Sequence, residues 1–181
     1  KWKGADHFVG QFKDDPIPGW TTKGETFKKW ERAEIQSVLA LLPNLPSWAS
    51  VEKYTFRRAS KSMHSGNLAT SELNRKTIIL YDGFFDHKNK LSVIGHEASH
   101  FLFPSISPAD LLEFSDLSGW DVEVKKDKVY LLPPKKPLLP DSVINKEEDF
   151  TNHMELYISN PKQLRERSLK MFEFFAKRFP L

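Results

Sequence analysis

Leu91-Ser92-Val93-Ile94-Gly95-His96-Glu97-Ala98-Ser99-His100-Phe101-Leu102-Phe103 carries the decisive pattern of this chain, a largely apolar run interrupted by two histidines four residues apart. Its spacing predicts a buried helix over 91–103, with Asn89 placed to cap the start and Pro104 to end it. Four residues is slightly more than one helical turn, so both imidazoles project from one face and can converge on one cation. Ile94, Ala98 and Phe101 fall on the roughly opposite face and would press the helix into a core.

The pattern from His96 to His100 is H-E-x-x-H, with Glu97 beside the first histidine. Zinc takes two neutral imidazoles and a carboxylate oxygen readily and keeps a fourth position for water. Glu97 is then the residue to accept a proton as that water attacks a carbonyl. The bland alternative is a pair of partly buried histidines on an ordinary core helix with a surface glutamate between them. Cysteine is absent, which excludes disulfides, thiolate zinc sites and cysteine nucleophiles, so any metal must sit on histidines and carboxylates.

A catalytic zinc site needs a third protein ligand. The metzincin extension would place a glycine and a third histidine where Phe103 and Ile106 stand, which excludes that class. Downstream candidates are Asp110, Glu113, Asp116, Glu147, Glu148, Asp149 and His153. Glu148 is favoured, because Phe150, Met154 and Tyr157 form an apolar stripe that buries its helix and leaves Glu148, Asn152 and Glu155 on another face. It has a competing role: Asn145, three residues earlier, could make it the far partner of a capping box.

The remaining chain predicts one α+β domain over residues 1–181. Residues 1–22, with Asp14, Asp15, Pro16, Pro18 and Gly19, read as an irregular N-terminal arm. The start at Lys1 without an initiator Met leads us to expect that an upstream segment has been removed, and Lys1 to Gly10 lack the apolar stretch of a signal peptide. An amphipathic helix is expected from Glu25 to Leu42, and strands at Val51–Arg57 and Lys76–Tyr81 with a turn at Ser65 and Gly66 between them. A hairpin follows at Val122–Lys125 and Lys128–Leu132, then a proline-rich stretch over 131–140 that reads as a stiff connector or, alternatively, a flap over a cleft. Two final helices are expected at Glu147–Ile158 and Pro161–Arg178. No apolar run approaches the length of a membrane span.

These residues together resemble a known family. His96 to His100, the block Asn145-Lys146-Glu147-Glu148-Asp149-Phe150-Thr151-Asn152, and Ser168-Leu169-Lys170-Met171-Phe172-Glu173-Phe174-Phe175 look like the catalytic domain of anthrax lethal factor-like gluzincin peptidases. The likeness runs from about Lys76 onward and is specific only at the two metal-bearing helices. It implies a small mixed sheet packed on the zinc-ligand helices, His96, His100 and Glu148 as ligands, Glu97 as base, and a secreted or exported bacterial enzyme. It also implies that Gly66-Asn67-Leu68-Ala69 belong to an edge strand along which a substrate backbone pairs. Such peptidases place a tyrosine shortly before the third-ligand helix, where this chain has Pro140, Asp141, Ser142 and Val143. Tyr130 or His153 is left to stabilise the oxyanion, against the alternatives of a hairpin packing residue and a helix-surface residue. The position at which the family carries an acid supporting a ligand imidazole holds Asn152, an expected hydrogen-bond acceptor with less electrostatic support to give.

Three functions follow for testing. The leading one is zinc-dependent hydrolysis of a peptide bond in a protein or peptide, by a monomer. The second is a zinc-dependent binding or structural module, opposed by Glu97, since a closed structural site has no use for a base beside the metal. The third is a basic interaction module without metal, for which a net charge of +3 with acids and bases interleaved gives little support. Nucleic-acid binding is not expected, as no recognised binding module is present.

Overall fold

The structure is a computed structural model that describes residues 11–18, 26–49, 51–61, 66–126 and 128–181. It is mixed helix and strand, an α+β chain, and divides into two compact units, Lys1–Phe101 and Leu102–Leu181.

The first unit is built on a five-stranded mixed sheet. Its strands are β1 (Phe12–Lys13), β2 (Phe27–Lys28), β3 (Thr55–Ala59), β4 (Ala69–Glu72) and β5 (Thr77–Leu80). β3 and β5 pair in parallel at the centre, β4 runs antiparallel along β5, and β1 and β2 share the far side of β3. All four residues of β5 are buried, as expected of a strand covered on both faces. Among the described residues three α-helices accompany the sheet: α1 (Arg32–Leu39), α2 (Asp82–Asp86) and α3 (Lys90–Leu102). Arg58 of β3 pairs with Glu34 of α1 at 2.9 Å and with Asp82 of α2, and lies 4.5 Å over the Phe85 ring.

Several expectations for this unit need correction. The strand expected over Val51–Arg57 begins only at Thr55, because Val51–Lys53 form a 3-10 helical turn. The arm is not wholly irregular, because Phe12 and Lys13 pair with Phe56 and Arg57; residues 1–10 and 19–22 lie outside the described residues. The first helix is eight residues long, not eighteen. Its expected start at Glu25 lies outside the described residues, as does Ser65 of the expected turn. Phe27 instead pairs with Ala59 and packs against Ile17, Ala59, Ile79 and Tyr81, so sheet burial overrides the helical spacing. The backbone N–H of Trp30 is taken by Asp14.

The second unit is mainly helical: α4 (Pro108–Ser118), α5 (Lys146–Ser159), α6 (Pro161–Arg167) and α7 (Leu169–Arg178), with a hairpin of β6 (Asp121–Lys125) and β7 (Lys128–Leu132). Each of these helices opens on a side-chain cap, Ser107 to Asp110 N, Asn145 to Glu148 N, Asn160 to Gln163 N and Ser168 to Met171 N. The Ser168 cap explains why the last expected helix is two: residue 168 is extended, and the chain restarts its helix there. α4 was not expected from the sequence; it ends at Gly119, whose φ of +92° only glycine adopts readily.

The core of this unit is aromatic. Phe114, Phe150 and Phe175 are fully buried, with Phe150 5.3 Å from Phe114 and 5.4 Å from Phe175 between ring centroids. This cluster fixes the rotation of α5 and so the direction of every residue on it. Phe150→Ala should lower unfolding stability by about 3–5 kcal/mol, the usual cost of emptying a buried aromatic site. Chemical denaturation checks this, and a loss under about 1 kcal/mol would mean that the cluster closes over the gap.

Candidate metal centre

The decisive helix forms over Lys90–Leu102, one residue earlier at each end than expected. Asn89 does cap it, its side-chain oxygen accepting from Ser92 N at 3.4 Å. Ile94 and Ala98 are fully buried, and Phe101 stacks on Tyr54 with ring centroids 4.3 Å apart. Burial, with a smaller contribution from Glu52, pushes the Tyr54 phenol up to about 12, so it stays neutral. With that face committed to packing, His96 and His100 emerge together on the other, their rings 5.1 Å apart and inclined at 69°.

On α5 the backbone N–H of Glu148 is capped by Asn145 at 2.8 Å, and Phe150, Met154 and Tyr157 are buried as their spacing predicts. One nitrogen from each of His96 and His100 and one carboxylate oxygen of Glu148 lie within 4.8 Å of one another. This His/His/Glu group, all three members half-buried, could therefore hold a metal ion. Two imidazoles and a carboxylate make a donor set that first-row divalent metals take.

The other third-ligand candidates are placed differently. Asp110 and Glu113 both pair with Arg178. Asp149 is fully buried and accepts from the Trp120 indole at 2.9 Å. Asp116 is exposed, and Glu147 is half-buried but outside the group.

Glu97 as a residue is buried, only 7% exposed. Its Oε2 accepts a hydrogen bond from the Ser71 hydroxyl of β4 at 2.7 Å, and the same hydroxyl lies 2.8 Å from the Glu97 carbonyl oxygen. Ser71 went unnoticed in the sequence: one serine in a polar stretch has no periodicity to mark it, and only the register of β4 on β5 brings it under α3.

Three expected supporting residues are occupied as follows. Asn152 is 2% exposed, not on an open face, and its amide donates to Asp141 at 2.7 Å and Ser142 at 3.1 Å, holding the turn Pro140–Val143 on α5. His153 donates from Nδ1 to the Asp149 carbonyl at 2.8 Å and meets the Phe114 ring edge-on. Tyr130 is exposed on the hairpin, opposite Glu123. The edge strand on the β4 side of the sheet begins at Ala69, so of the four residues from Gly66 only the last belongs to it.

No family model matches this chain, and neither does any curated protein or solved structure. Among the described residues, no helix is long and apolar enough to cross a membrane.

Proposed function

We propose that the chain is a zinc-dependent endopeptidase of the gluzincin type, acting on a protein or peptide. The observation that carries this reading is the His96, His100 and Glu148 group, on whose histidine helix the buried residue Glu97 stands. Zinc held there would polarise the scissile carbonyl and favour ionisation of a bound water.

Glu97 takes the proton of the attacking water and returns it to the leaving amine nitrogen, so one carboxyl group serves as base and then as acid. Burial gives this proton transfer a low-dielectric setting in which a fixed hydrogen bond holds better than in water. A buried carboxylate is also costly to keep without a task, which weighs against a purely structural metal module.

The test is a peptide library incubated with purified protein, with cleavage read by mass spectrometry. We expect internal cleavage that 1,10-phenanthroline abolishes and low-micromolar zinc restores. Cleavage that survives complete metal removal would exclude the mechanism, and no cleavage by zinc-loaded protein would favour a binding module. The metal-free protein should remain largely folded, since each unit has its own buried core.

A further inference from the structure

We propose that Ser71 is a positioning residue for Glu97, fixing the carboxylate that the peptidase reading above makes the base; the inference rests on that reading. Ser71 lies third in β4, paired with Ile78 of the fully buried β5. Its neighbour Thr70 accepts from the Tyr81 hydroxyl at 3.1 Å. The Ser71 hydroxyl is thus mounted on sheet backbone rather than on a loop.

That hydroxyl has one proton and two acceptors in reach, the Glu97 Oε2 at 2.7 Å and the Glu97 carbonyl at 2.8 Å. A carboxylate oxygen is a stronger acceptor than a backbone carbonyl, so the Ser71 hydroxyl donates toward Oε2. A glutamate has three side-chain torsions, and anchoring one oxygen removes most of their freedom. Among the described residues, Oε1 takes no hydrogen bond, and it is the oxygen left to exchange a proton with water. Preorganisation of this kind acts on turnover rather than on substrate affinity. A hydroxyl that merely tied helix to sheet would instead affect stability and leave the folded enzyme's turnover unchanged.

The experiment compares zinc-loaded Ser71→Ala and Ser71→Thr with the parent on one cleaved peptide. We expect kcat of Ser71→Ala to fall about tenfold, part of what a positioned base supplies, with KM within about twofold and bound zinc unchanged. Ser71→Thr, which keeps the hydroxyl and suits a strand, should return to within about threefold of the parent. A second readout needs no activity: in the metal-free protein, the unfolding effects of Ser71→Ala and Glu97→Ala should be non-additive. Parent-like kcat in Ser71→Ala, a Thr variant as slow as the Ala variant, or additive unfolding effects would each overturn the positioning role. A parent that cleaves nothing, or a Glu97→Gln variant of full activity, would instead sink the peptidase reading and this role with it. Those two results are visible without any Ser71 variant, so the two failures are told apart.

Discussion

Glu97→Gln is expected to bind zinc like the parent and to turn over peptide about 10²–10⁴-fold more slowly, the contribution of a positioned general base. The change is nearly isosteric. An amide oxygen can still accept from Ser71, whose hydroxyl stands 2.7 Å from Oε2, so the packing around α3 should survive. What the amide cannot do is take a proton from water. Since the proposed ligands are His96, His100 and Glu148, and not Glu97, zinc stoichiometry should not move. Steady-state kinetics with metal analysis on the same sample decides the matter, and near-normal turnover with full zinc would remove Glu97 from the mechanism.

How far the sequence disclosed this arrangement depended on whether a local rule was also the rule that won. The histidine helix was legible because its spacing, its Asn89 cap and its terminating proline all agree, and burial of Ile94 and Ala98 follows from the same spacing. β5 was legible for a similar reason, being short, β-branched and buried throughout. Phe27 and Trp30 were misread, since their helical spacing is real but pairing with β3 and the Asp14 contact compete with it successfully. The break at Ser168 was missed because residues on both sides keep helical character, and only the cap to Met171 marks the restart. Ser71 and Asn152 differ in kind: their partners, Glu97 and the Asp141–Ser142 turn, are 26 and 10 or 11 residues away, and no local pattern encodes such meetings.

Glu148→Ala is expected to lose most of its zinc and, with it, activity, whereas Glu147→Ala should change either only slightly. Adjacent helical residues point about 100° apart, so one carboxylate of the pair can face a given point and the other cannot. The rotation of α5 is not free to compensate, because Phe150, Met154 and Tyr157 are each at most 2% exposed. In that fixed rotation it is Glu148 whose oxygen falls within 4.8 Å of the histidine nitrogens. Groups that merely support a metal ligand cost 10–100-fold in affinity when removed, so loss of a ligand should cost more than about 100-fold. The capping alternative makes a different forecast. Asn145 accepts from the backbone N–H of Glu148, which survives the alanine substitution, and the cap itself is tested by Asn145→Ala. That variant should lose about 1 kcal/mol of stability and keep its zinc. Dialysis against a competing chelator near neutral pH, followed by metal analysis of all three variants, separates the roles. Stoichiometric zinc in Glu148→Ala would show that another residue supplies the third ligand, and equal zinc loss in Glu147→Ala would show that general negative charge near the N-terminus of α5, rather than one directed carboxylate, is what the metal requires.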